Sequence, residues 1–412
     1  MTRNQAPGLS ESDRLKDIEG LAREFNEHLL ETPGNVMNGH LRCAVAQCAR
    51  SALQDCEGCQ ILSKDGPSRE KAFRIIANLE HQPAFTASND SHVSEAIVNL
   101  VHALVNHQTK LDNEWYLSTI VSLRNSRILP SDIAHTPQAR QFMIWSLFCE
   151  ICVLTAISHG VHMTYLVMGR EAPALPRTSN TEPQLVDFNA IKRSDRDVHQ
   201  NDGVAFAPYL RSSDVDINSL ELGKLSPQAF QALRHNMDIY SPYVSMIFAP
   251  ADLDFMDLMT DIFYVPQSSV GRPHVALDPT SRCTDHVTRH DLEVVGVAIA
   301  AAYRCDYSRS LHGSRLLGAK DGNDTNHKQH KDEILQRLAK AASCRPLDMA
   351  QVEAARNELV ADYSRELLIE AAGMIGVAEA ETKLSGPTGQ KPLTQKTQSC
   401  MKCFFGCFKL CC

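Results

Sequence analysis

Aromatic residues are scarce in this chain: 6% of 412 residues, with two tryptophans. Long strand-like runs of Val, Ile, Thr and Tyr are missing, while Ala, Leu, Val and Ile are plentiful, a balance that favours helix. Excess positive charge is missing too. The net charge is −8 and no basic stripe crosses the body of the chain. That argues against general nucleic-acid binding, because phosphate contacts need clustered Lys and Arg. The first thirty residues lack an apolar leader, with Arg14, Lys16, Asp17 and Glu19 scattered through them, so no signal peptide is expected. No unbroken apolar run reaches bilayer-spanning length, and the expectation is a cytoplasmic protein. In that compartment the 14 cysteines are expected to be reduced, redox-active, lipidated or buried rather than a disulfide framework. No Gly-rich phosphate loop, His-Glu-x-x-His or Gly-x-Ser-x-Gly occurs.

What is present is ordinary globular composition, 43% hydrophobic and 22% charged, in a chain long enough for two domains or a repeated unit. Helical spacing of apolar residues predicts helices at about 10–30, 39–53, 68–79, 91–106, 112–123 and 136–167. Asp112 and Thr136-Pro137 supply N-terminal signals for the last two. The 136–167 helix is apolar almost all round and is therefore expected to be central. Residues 169–200, with Pro173, Pro176 and Pro183, read as a linker between an N-terminal half at 1–168 and a C-terminal half at 201–377. Further helices are predicted at about 227–237, 250–263, 289–304, 307–318, 328–343 and 347–377. Residues 378–412 carry Gly, Pro, Thr, Gln and Lys and read as a disordered, Cys-rich tail.

The most informative segment runs from Thr288 to His312. Thr288 and Asp291 form a capping-box pattern that starts a helix. Glu293 is the notable polar residue of the Ala/Val-rich stretch that follows. Cys305-x-x-Ser308-x-x-x-His312 then places a thiol, a hydroxyl and an imidazole on one helical face. A thiol near a helix N-terminus beside an imidazole has its thiolate favoured, and a buried carboxylate can hold or relay a proton.

In these residues the chain resembles the alkylhydroperoxidase-like (AhpD-like) and carboxymuconolactone decarboxylase superfamily. Its signature is a Glu, then about a dozen residues later Cys-x-x-Cys, then His four residues on. Glu293, Cys305 and His312 occupy three of the four positions, and the run VVGVAIAAAYRCDYSRSLH follows the family's pattern. The resemblance is best over about 226–318, weaker over 40–168, and does not reach the tail. It implies an all-α, AhpD-like helical fold with two related halves, no cofactor, a small hydroperoxide substrate, a dithiol electron donor and assembly into homo-oligomers. By the same resemblance Glu293 accepts a proton, His312 relays it, and Cys305 matches the resolving cysteine. Ser308 stands where the family has the cysteine that attacks peroxide, so the two-thiol cycle cannot run on positions 305 and 308 alone. Tyr307 stands where some members have a further His.

Other cysteines offer alternatives. Cys56 and Cys59 have the spacing of a redox dithiol or half a zinc site, and a remnant or packing role is the other reading. Cys149 and Cys152 share the spacing but lie in the long apolar helix and read as core cysteines. Cys283, His286 and His290 have metal-like spacing but read as residues leading into a helix, and His327 and His330 read as solvated. At the C-terminus Cys400, Cys403, Cys407, Cys411 and Cys412 alternate with Phe and Lys, a pattern suited to multiple lipidation and contact with an anionic membrane surface. The final Cys-Cys resembles a doubly prenylated end and is not a CaaX box. Two functions are therefore expected: a thiol-dependent hydroperoxide reductase, or a non-catalytic, membrane-tethered helical interaction protein.

Overall fold

The computed structural model describes residues 11–54 (except 33 and 35), 91–125 (except 112), 137–183 (except 178), 287–318 and 325–385, together with Asp252, Phe255 and Met259. Of its interpretable part 83% is helical and none is in a strand, so the fold is all-α. The described helices are α1 (Glu11–Glu31), α2 (Gly39–Gln54), α3 (Ser91–Asn106), α4 (Asn113–Asn125) and α5 (Pro137–Val167), then α6 (Arg289–Ala302), α7 (Asp306–Gly318), α8 (Thr325–Ser343), α9 (Met349–Asp362) and α10 (Arg365–Ser385). The helices expected at 68–79 and 227–237, and Asp112 as a cap, lie outside the described residues. Of the helix expected at 250–263, Asp252, Phe255 and Met259 are described, helical and buried.

Helix packing falls into two groups, α1 to α5 and α6 to α10, joined chiefly by α5 against α10. One apolar core runs through both, from Ile18 to Leu384. α1 buries Ile18, Leu21, Ala22 and Phe25, the stripe its spacing predicts. α5 is surrounded. Its segment Met143–Val167 is long and apolar enough to cross a membrane by length and composition, which corrects the expectation that no such segment exists. That segment is buried by its neighbours except at His162 and Leu166, which are partly buried, as expected of a central helix.

A second correction concerns the C-terminal region. The helix expected over 347–377 is two helices, broken at Tyr363–Ser364, where the Ser364 hydroxyl accepts the amide of Leu367 and caps the new start. The second of them continues to Ser385, with Ala378, Ala380 and Leu384 in the core. Residues 378–385 are therefore buried helix and not tail. Their apolar positions keep helical spacing, and that outweighs the polar composition read from the sequence.

Candidate functional site

The Thr288 hydroxyl accepts the amide of Asp291, and the Asp291 carboxylate accepts the amide of Thr288, so the predicted capping box starts α6. One turn in, Glu293 is fully buried. Arg289 Nε donates to its Oε1 at 2.7 Å, and His312 Nδ1 lies 2.8 Å from its Oε2. The imidazole fits because residue 296 is glycine. A Cβ there would lie 2.7 Å from Cγ and Nδ1 of His312, well inside van der Waals contact.

α6 ends in a Schellman turn: the amide of Cys305 bonds the carbonyl of Ala300, and that of Arg304 bonds Ala301. Arg304 takes the left-handed position with φ 54°. The turn delivers Cys305 to the residue before α7, where its carbonyl accepts the amide of Arg309 and its thiol donates to Ser308 Oγ at 3.4 Å. Ser308 and His312 are buried in α7, and Cys305 is half-buried against Tyr307 and Leu311. From α10, Glu381 Oε2 lies 3.5 Å from His312 Nε2, placing the ring between two carboxylates.

The charges follow from this packing. Burial opposes a charged His312, but Glu381 beside it and the hydrogen bond to Glu293 raise the imidazole to about 9. Burial also opposes a charged Glu293, yet the hydrogen bond and charge of His312, with Arg289, lower it to about 2. At neutral pH the pair is thus carboxylate and imidazolium. Burial pushes the Cys305 thiol up, outweighing the lowering by the Ser308 hydroxyl and the amides of Ser308 and Tyr307.

Next to this site lies a buried ionic node on α10. The Glu379 carboxylate takes Tyr303 Oη at 2.8 and 3.0 Å, Ser343 Oγ at 3.1 Å and Arg345 Nη2 at 3.4 Å. His159 Nε2 of α5 lies 3.1 Å from it and Lys383 Nζ 3.4 Å. Lys383 is fully buried and also donates to the carbonyls of Leu104 and Val105, each at 3.2 Å. Burial works against the charge on Glu379, but Arg345 and Lys383 hold it far below the carboxylate range. Across the core, Arg42 pairs with Asp252 at 2.7 and 3.2 Å, and His28 reaches the same carboxylate at 2.6 Å. Nearby, Glu150 accepts the amides of Val36 and Met37 at 2.9 and 3.0 Å. Burial dominates there and raises Glu150 to about 8.

Of the residues singled out by sequence, Glu293, Cys305, Ser308 and His312 come together. Cys56, Cys59, Cys283, His286 and the five tail cysteines lie outside the described residues. Cys149 and Cys152 are buried thiols raised by desolvation, as core cysteines should be. His290 pairs with Asp332 at 2.9 Å, and His330, about half exposed, with Asp362 at 3.0 Å. Sequence reasoning missed Arg289, Gly296 and Glu381 at the site, and the whole Glu379 node. Comparison with protein-family models, curated proteins and solved structures gives no match.

Proposed function

We propose that this protein is a thiol-dependent oxidoreductase of the AhpD-like kind that reduces small hydroperoxides through one thiol, Cys305. The observation that carries the reading is the convergence, at one helix–turn–helix junction, of Cys305 and Ser308 with the buried Glu293–His312 pair. The Cys305 thiolate attacks the distal peroxide oxygen, the O–O bond breaks, and the sulfur becomes a sulfenic acid while an alcohol leaves. His312, an imidazolium, supplies the proton for the departing alkoxide, and the carboxylates of Glu381 and Glu293 keep it charged. An external dithiol then returns the sulfenic acid to thiol, giving water and a disulfide of the donor. No cofactor enters this cycle. Because burial disfavours the thiolate, turnover is slow at neutral pH and rises with pH.

The test is peroxide consumption by the full chain with a dithiol reductant, beside Cys305→Ser and Cys56→Ser/Cys59→Ser variants. Loss of turnover in Cys305→Ser alone supports the single-thiol reading. Loss in the double variant moves the chemistry to Cys56 and Cys59. No turnover above free reductant favours the second reading, a non-catalytic helical interaction protein, for which Ser308 and the raised thiol are the supporting observations. We propose in either case that Cys400, Cys403, Cys407, Cys411 and Cys412 carry lipid and hold the protein at a cytoplasmic membrane surface. Hydroxylamine-sensitive acyl exchange on those cysteines tests this, and no labelling there counts against it.

A further inference from the structure

α8 and α9 pack as a hairpin, connected by residues 344–348 and open where α8 begins and α9 ends. Three side chains with metal-ligating atoms meet at the open end: His330 near the start of α8, and Glu358 and Asp362 at the end of α9. His330 Nε2 lies 3.0 Å from Asp362 Oδ2, and one ligand atom from each of the three residues lies within 4.8 Å of the other two. Glu358 and Asp362 are four residues apart, so α9 itself sets both carboxylates on one edge. The His330 ring lies beside that of Tyr363, with centroids 6.2 Å apart. Arg337 of α8 pairs with Glu358 Oε1 and leaves the other oxygen without a partner among the described residues.

A hydrogen bond between His330 and Asp362 has no need of a third group. Glu358 beside it brings a second negative charge one turn away on the same helix, and such pairs repel. Arg337 relieves Glu358 alone, and Asp362 has no partner but His330 among the described residues. The surrounding charges are already matched: Lys331 pairs with Asp291 at 2.8 Å and His290 with Asp332 at 2.9 Å. A divalent cation between Glu358 and Asp362 offsets both carboxylates at once.

The donor set selects the ion. Carboxylates alone suit calcium or magnesium, whereas an imidazole among them favours zinc and its transition-row neighbours. Donors around a tetrahedral zinc stand about 3.4 Å apart. The His330–Asp362 pair is already near that spacing, and Glu358 reaches it by turning its free end. The three side chains are 49%, 33% and 43% exposed in chain order, so an ion enters from solvent and water completes its shell. Arg337 remains on Oε1 of Glu358 as an outer partner that orients the ligand.

We propose that His330, Glu358 and Asp362 form a zinc site that staples the open end of the α8–α9 hairpin. The site is independent of the thiol chemistry at Cys305 and stands or falls separately from it.

The test uses the full chain, stripped of metal with a chelator and treated with N-ethylmaleimide so that accessible thiols take no zinc. Calorimetric titration with zinc chloride should show a site that His330→Ala removes. Asp362→Asn should weaken that site by at least about tenfold, because loss of even an outer partner costs that much. Hydrogen exchange locates the ion: zinc should slow amide exchange at the start of α8 and the end of α9 in the parent and leave both unchanged in His330→Ala. The three side chains are partly exposed, so the variants should keep the parent's circular dichroism. Zinc binding that is equal in the parent and His330→Ala overturns the proposal, as does protection by zinc only at other segments. Calcium or magnesium protecting the same helix ends as strongly as zinc overturns the assignment of the ion.

Discussion

Gly160 of α5 and Gly376 of α10 meet backbone to backbone. A Cβ on Gly160 would lie 2.5 Å from the carbonyl oxygen of Gly376, and one on Gly376 would lie 2.6 Å from that of Gly160 and 2.1 Å from Thr164 Oγ1. Backbone cannot yield as a flexible side-chain end can, so the two central helices must part to admit a methyl. Gly376→Ala is expected to destabilise the protein by about 2–3 kcal/mol, the upper range for overpacking. Gly20→Ala, whose Cβ meets nothing within 4 Å in α1, should be neutral or stabilising by up to about 1 kcal/mol. Urea unfolding of the two variants checks the contrast. Equal midpoints would show that α5 and α10 separate without cost.

Gly296 sets a different limit, on the imidazole rather than on a helix. Gly296→Ala should push His312 from Glu293 and lower its ionisation from about 9 toward the ordinary value near 6.5. Proton NMR titration of the His312 ring reads this directly. A ring that still titrates near 9 would mean the pair re-forms around the methyl.

Two buried groups should shape stability at alkaline pH. His312 is raised in the folded state to about 9 from 6.5. Its contribution is full below 6.5 and is lost as pH rises through about 9. Glu150 is raised to about 8 from 4.5. Folding is therefore favoured most below 4.5 and progressively less as pH climbs through about 8. Denaturation midpoints should fall between about pH 6 and pH 10. Glu150→Gln, which turns an amide toward a backbone N–H, should cost about 1–2 kcal/mol but flatten that decline. An unchanged slope in this variant would show that Glu150 is ionised in the folded protein.

The Glu379 node predicts non-additivity. Glu379→Leu leaves Lys383 and Arg345 beside no carboxylate of that node and should cost about 3–5 kcal/mol. Adding Lys383→Met removes one stranded cation and should recover part of the loss. A double variant as unstable as the sum of the singles would mean that Glu379 and Lys383 contribute separately.

Arg304 holds a left-handed backbone position, φ 54°, at the Schellman turn. Arg304→Gly should stabilise the turn by about 1 kcal/mol, because glycine carries no Cβ penalty there. A thermal melt checks this, and a lower midpoint would show that the Arg304 side chain contributes more than the strain.

Local sequence carried much of the fold. Pro137, the Thr288/Asp291 box and the apolar stripe of α1 each state a helix start or face within a few residues. The Glu293, Cys305 and His312 spacing was likewise visible, since one turn between α6 and α7 converts it into proximity. Glu379 and Glu381 were not legible. They sit in Ala-Glu-Ala-Glu-Thr-Lys, just before a Gly-, Pro- and Lys-rich stretch, and their partners Tyr303, His159 and His312 lie far away in sequence. Long-range ionic pairing leaves no local period. The Arg42–Asp252 pair was hidden for the same reason.

The order of helices along the chain also bears on synthesis. α5 emerges from the ribosome early, and α10, its most extensive partner, comes only after α6 to α9. In the interval an unusually apolar helix lacks the surface that covers it, a condition that invites association between nascent chains. Products that stop short of Arg365 should therefore be chaperone clients or aggregates rather than half-active proteins, and the site around Cys305 should mature in the last moments of translation.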